Sequence, residues 1–240
     1  MKPLFIKEFR QFFGNLTGYL SIGLFLLLMG LFLFIFPGTS IFDFGYATMD
    51  KFFELAPWVL LLLVPAVTMR SFSDEFKTGT WELLKTKPIS QSKIVAAKYL
   101  ASLVVVLLAL LPTLVYVFTI KTLSINGSID TGAILGSYIG LFLLAAVFTA
   151  IGIFGSSLSS NPIVGFLVSA FISFIVYSGF AALAGIEAFK GGADYWISMF
   201  GIDEHYKNAS RGVLALKDVW YFGTVLLVFL FITRKVVAQR

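Results

Sequence analysis

The strongest constraint on this chain is a set of six apolar runs separated by short polar segments. A helix needs about 20 mostly apolar residues to cross roughly 30 Å of hydrocarbon. Thr17–Phe36, Tyr99–Ile120, Gly132–Leu158 and Ile163–Ala184 reach that length without a charged side chain. Leu55–Met69 and Val219–Thr233 are shorter and need their flanks. Membrane-crossing strands would be about 10 residues long with strict alternation, and these runs do not alternate. Charged residues are 13% of the 240 positions, against about 25% in soluble proteins, too few to coat a globule of this size. The expected fold class is an all-α integral membrane protein with six transmembrane helices, organised as one membrane domain over 1–240.

Lysine and arginine set the orientation, because they concentrate on the cytoplasmic side. Three stand before the first run (Lys2, Lys7, Arg10), six in the 70–98 loop and three in the tail (Arg234, Lys235, Arg240). The opposite side has Lys51, Lys121 and four more in the 185–218 segment, together with nine of the thirteen acids. Both termini are therefore expected in the cytoplasm. The net charge of +5 divides across a membrane and does not point to nucleic acid. The first run is too long for a cleaved signal peptide and lacks a small-x-small site after Phe36. Before it, Phe5, Ile6, Phe9, Phe12 and Phe13 recur at helical spacing between Lys2, Lys7, Glu8, Arg10 and Gln11. That pattern predicts an amphipathic helix over 1–16 lying in the headgroup plane against lipid, with Gly14-Asn15 as a break.

The 70–98 loop is the one substantial hydrophilic stretch predicted inside. Ser71 or Ser73 can cap a short helix with Asp74 and Glu75 in its first turn. Phe72 and Phe76 share a face, Gly79 interrupts, and Thr80-Trp81-Glu82-Leu83-Leu84 starts a second short helix that Pro88 ends. Ser90 is then an N-cap for the third span. The spacing predicts a rigid knob under the membrane, with its aromatic side chains either on a partner or on lipid and the protein's own helices.

The run Arg70-x-Phe72-x-x-Glu75-x-x-x-Gly79-Thr80-x-Glu82-x-Leu84, followed by Pro88-Ile89-Ser90 and Lys98, resembles the signature loop of ABC-2 type transporter permeases. Within that family the chain is most similar to the permease subunits associated with gliding motility in Bacteroidetes. The resemblance spans the whole chain and implies a coupling helix that docks into a separate ATPase subunit. Carried over, Glu75 and Gly79 fall on the motif's acid and glycine, and Arg70, Phe72 and Thr80 flank them. It also implies a homodimer or a second related permease subunit, and re-entrant or outer-surface helices in 185–218. No G-x-x-x-x-G-K-[ST] cradle occurs in the sequence, so ATP hydrolysis is expected in the partner and no cofactor in this chain.

Inside the predicted spans, Gly132, Gly136 and Gly140 repeat G-x-x-x-G and predict close helix packing, against the same subunit or across a dimer. The second span carries Pro57 and Pro65, and a kink is predicted near Pro65. Gly165, Ser169, Ser173 and Tyr177 share one face of the fifth. Ser169, Ser173 and Tyr177 are a candidate lining for a translocation path; the competing reading is helix packing with the hydroxyls bonded back to carbonyls. Phe189, Trp196, Ile197 and Phe200 predict short helices dipping into the outer leaflet.

Enzyme readings fail on inventory. Zero cysteines and one histidine leave no metal set. Gly155-Ser156 resembles an intramembrane serine protease only superficially, since the sole imidazole, His205, is predicted outside the bilayer as an ordinary solvated side chain. An ion-coupled secondary transporter remains an alternative, although no span carries an acid or histidine at mid-membrane. So does a non-transporting membrane scaffold that recruits partners through 70–98.

Overall fold

A computed structural model describes residues 2–14, 16–43, 48–124 and 129–240. Among them every regular element is helical. Helix α1 (Lys2–Gly14) precedes α2 (Leu16–Phe34), and α3 (Asp50–Thr68) runs almost directly into α4 (Arg70–Thr78). After α5 (Thr80–Lys85), α6 (Gln91–Leu110) passes through a 3-10 turn at Pro112 into α7 (Leu114–Leu123). The long α8 (Thr131–Leu158) follows, then α9 (Pro162–Phe174), a π-helical turn over Ile175–Gly179 and α10 (Phe180–Ala184). Two short helices, α11 (Ala193–Met199) and α12 (Ile202–Ser210), precede the last, α13 (Leu216–Gln239).

Among the described residues, five helical stretches are long and apolar enough to cross a membrane: Asp50–Thr78, Gln91–Leu123, Thr131–Leu158, Pro162–Ala184 and Leu216–Gln239. Counting α1 and α2, which are bent against each other, as one span makes six. The break expected at Gly14-Asn15 falls partly on Asn15, outside the described residues.

Helices α3 and α8 form the centre. Their most apolar windows are each 67% buried, against 22% for Pro162–Ala184 and 17% for α13. Phe52, Phe53, Leu60 and Val64 of α3 meet Leu141, Leu144, Phe148 and Ile151 of α8 in one core with Phe25, Met29 and Leu33 of α2. In lipid such contacts gain little from leaving water, so close packing carries the stability. Small residues permit it. A side chain on Gly152 would strike Thr68 of α3, and one on Gly155 would strike Ser169 of α9.

Helix α3 continues unbroken through Pro57 and Pro65. The expected caps on the following helix are not made. Because Met69 stays in the α conformation, α4 has no free start for Ser71 or Ser73 to cap. Ser156 of α8 serves instead: its Oγ accepts from Phe72 N at 2.9 Å and Ser73 N at 3.3 Å, and donates to the Met69 carbonyl at 3.0 Å. The Ser73 hydroxyl in turn donates to the Ser156 carbonyl at 3.0 Å. Ser90 sits at the start of α6 without a side-chain cap bond, whereas Asn161 caps α9 by accepting from Ile163 N. Replacing Ser156 with alanine strips partners from buried backbone groups, so a stability loss of about 1–3 kcal/mol is expected, readable as a lowered unfolding midpoint in detergent.

Candidate docking loop and its buried charge cluster

Helix α4 presents one face inward. Ser71 and Phe72 stand four and three positions before Glu75, and all three are buried. They meet Glu8 of α1 and Lys98 in the second turn of α6. The Lys98 side chain is 1% exposed, and its ammonium lies 2.9 Å from Glu8 Oε1 and 3.0 Å from Glu75 Oε1. It donates hydrogen bonds to Glu8 Oε1 and to the Ser71 carbonyl. Its charge sits 5.0 Å from the Phe72 ring centroid. Lys7 closes the cluster from the rim, 2.9 Å from Glu75 Oε1 and 3.3 Å from Glu8 Oε1. Burial works against the Lys7 ammonium, but Glu75 and Glu8 outweigh it and its pKa is raised.

Two cations thus face two anions where α1, α4 and α6 converge. Charges this deep are tolerated only when paired and hydrogen-bonded. The cluster fixes α4 against both neighbours while leaving the far end of the loop free of the core. Lys98 therefore belongs to the interior and is no loop residue, and α1 is anchored by Leu4 and Glu8, both buried.

The aromatic side chains of the loop also turn inward. Phe72 is fully buried and Trp81 nearly so. Their rings, with Phe76, form a triangle of centroids 5.7–5.9 Å apart. The Arg240 guanidinium carbon lies 4.6 Å from the Phe76 centroid. What remains at the surface is the tip. Gly79 adopts φ 71° in the left-handed region, where a side chain is strained, and it separates α4 from α5. Thr80 is exposed and its hydroxyl lies 3.0 Å from that of Thr78. Leu83 is 67% exposed, a large apolar side chain beside a groove of about 360 Å³ that it lines with Leu84, Ile89, Pro3 and Leu4.

The residues singled out from the sequence therefore divide. Phe72 and Glu75 hold the loop from inside, Gly79 and Thr80 form its exposed tip, and Arg70 borders a small cavity with Glu8, Gln11, Ser71 and Asp74. Leu83, Glu8 and Ser156 were missed. Glu8 had a visible signal: it shares a helical face with Leu4 and Phe12, where a charge needs a partner. Ser156 had none beyond being small.

The remaining candidates lie elsewhere. A side chain on Gly136 would come within 2.5 Å of the Gly212 carbonyl, and one on Gly140 would strike Ala209, so both face α12 and the turn after it. Gly132 meets only Asp130 of its own turn. Ser169 and Ser173 are fully buried and Tyr177 nearly so. Ser169 donates to the Gly165 carbonyl one turn back, Ser173 has no hydrogen-bond partner among the described residues, and Tyr177 packs on Trp58 and Phe148. Ser169 faces Gly155 of α8, and Tyr177 borders an opening with Glu54, Trp58 and Tyr206. His205 departs from expectation: it is buried, because α12 folds against α13 and brings Asp218 to 2.7 Å from its Nδ1. The Ser156 hydroxyl contacts backbone and Ser73, not an imidazole.

The architecture defines a multi-pass helical membrane protein with a structured polar knob between two membrane helices. The sequence profile described as ABC-2 family transporter protein matches residues 44–201, from the segment before α3 to the residue before α12. The chain belongs to the ABC-2 transporter family and is a membrane permease of that kind. No curated protein matches it.

Proposed function

We propose that this chain is the membrane-spanning permease subunit of an ATP-driven transporter, docking a separate ABC ATPase through the tip of the 70–98 loop. One observation carries the reading: an exposed tip around Gly79, Thr80 and Leu83 stands on a buried charge cluster that joins α1, α4 and α6. Since α4 continues the line of α3, a push on the tip reaches the central pair α3 and α8 without passing through a flexible segment. ATP hydrolysis belongs to the partner.

The rest of the reading follows from charge and exposure. Six spans with both termini in the cytoplasm put the knob, α1 and the basic tail on one side, and α1 lies along the inner surface of a bacterial cytoplasmic membrane. Helix α9 turns Ile163, Leu167, Phe171 and Phe174 outward, a ridge that suits a second bundle, either another copy or a related permease, completing the path. The narrower assignment to gliding motility rests on sequence resemblance, and the gliding of a deletion strain tests it.

Purification of the tagged chain in mild detergent tests the docking, wild type beside Leu83→Glu. The variant should fold as wild type, because exposed positions change stability by about 0.5 kcal/mol or less. ATPase activity that co-purifies with wild type should fall at least ~10-fold, the effect of losing roughly 1.4 kcal/mol at an apolar anchor. Equal ATPase recovery with both proteins would remove Leu83 from the interface.

A further inference from the structure

The sole histidine sits in an arrangement that counts protons. His205 Nδ1 is 2.7 Å from Asp218 Oδ1, and Nε2 is 3.0 Å from the Met199 carbonyl oxygen. A carbonyl oxygen and a carboxylate only accept hydrogen bonds. A neutral imidazole has one N–H, so beside an ionised Asp218 it can satisfy one contact and must turn a lone pair on the other. Both contacts are made only if the pair carries one more proton, as imidazolium with carboxylate or as imidazole with carboxylic acid. The surroundings pull both ways: Asp218 Oδ2 is buried without a hydrogen-bond partner among the described residues, which favours the acid. Asp218 lies in the first turn of α13, where the helix favours a negative charge, and the Tyr221 ring is stacked on the imidazole at 3.9 Å between centroids.

We propose that His205 and Asp218 form a proton-holding clasp that fastens the α11–α12 segment to α13. The ionisable groups in contact with His205 are Asp218 and Tyr221, both from α13. On its own helix Asp203 is paired with Lys207 at 2.7 Å, Glu204 is exposed, and the Tyr206 hydroxyl donates to the Phe53 carbonyl. Among the described residues, α3, α8, α11 and the π-helical turn bring no hydrogen bond, ion pair or ring contact from an ionisable side chain to the imidazole. With the proton bound, the clasp bridges the end of α11, α12 and α13. When that proton leaves, one bridge is lost and the segment loosens. The same segment walls an opening of about 640 Å³ through Asp203, Tyr206, Lys207 and Ser210, facing Glu54 and Trp58 of α3. Protonation thereby sets how firmly one wall of that opening is held, whatever the protein transports.

Asp218→Asn makes the proposal testable, because an amide N–H can donate to a neutral imidazole Nδ1 while Nε2–H donates to Met199. The clasp then closes without the extra proton. The experiment is hydrogen exchange of residues 193–210 in the full chain in lipid nanodiscs, stepped from pH 6 upward and corrected for intrinsic exchange. Nitrogen-15 NMR of the single histidine is recorded in parallel. In wild type, protection should fall ~10-fold or more in a single-proton step, the effect of losing one charge-assisted hydrogen bond, and the imidazole signals should move in the same step. Asp218→Asn should stay protected throughout. Protection that does not step in wild type, imidazole signals that stay fixed across the step, or the same step in Asp218→Asn would each overturn the clasp. Should the variant not fold, coincidence of the two wild-type signals decides.

Discussion

Replacing Lys98 with methionine is expected to cost about 3–5 kcal/mol, the range for removing one partner of a buried ion pair. The methionine fills similar volume, so the loss is electrostatic: Glu8 and Glu75, both buried, remain with only the rim cation Lys7 between them. The double variant Lys98→Met/Glu8→Gln keeps the Lys7–Glu75 pair and restores neutrality, so it should recover most of the loss. Unfolding midpoints in detergent for the single and double variants measure both quantities. A single variant as stable as wild type would mean that the cluster is open to water and holds nothing together. The test bears on function because α4 is held to α1 and α6 through these side chains. A loosened cluster should also weaken any force carried from the loop tip.

The second large effect lies on the other side of the molecule. Gly136→Val should be strongly destabilising, at or above the ~1–3 kcal/mol of overpacking, because its new Cβ would meet the backbone of Gly212 at 2.5–2.9 Å. Backbone cannot turn aside as a side-chain end can. Gly132→Val, one turn away in the same G-x-x-x-G repeat, meets only Asp130 Oδ1 at 3.4 Å and should stay within about 0.5 kcal/mol of wild type. Thermal unfolding of the two variants side by side separates a packing seam from a mere sequence pattern. Hydrogen exchange over α12 should rise in Gly136→Val alone, since α12 loses its seat on α8.

The membrane helices were legible because length and lack of charge decide them. Runs such as 132–158 leave the backbone no alternative to a helix in hydrocarbon. The boundaries were less so. The sequence suggests a new helix start at Ser71, yet α4 follows α3 through a helical Met69, and Ser156, 83 positions from Ser73, supplies the partners that a local cap would have given. Glu75 shows the same limit. Its place in the loop motif suggests a group offered to a partner, while the structure turns it inward to Lys98. Only a fold that brings positions 8, 75 and 98 together reveals that. His205 reads as solvated because its partner Asp218 belongs to a helix whose start lies outside the apolar run. Local signals such as Gly79 and Pro88 survive because they act on their own backbone.

The central claim is that the tip of the 70–98 loop touches an ATPase. The most direct measurement is photo-crosslinking in intact cells from a benzophenone side chain at position 83, with position 62, an exposed leucine of α3, as the membrane-facing control. The adduct at 83 should contain a polypeptide with a G-x-x-x-x-G-K-[ST] motif, identified by mass spectrometry and absent from the control. Adducts at 83 that contain only lipid, or the same polypeptides as at 62, would contradict the docking and with it the reading of this chain as the driven half of an ATP-powered transporter.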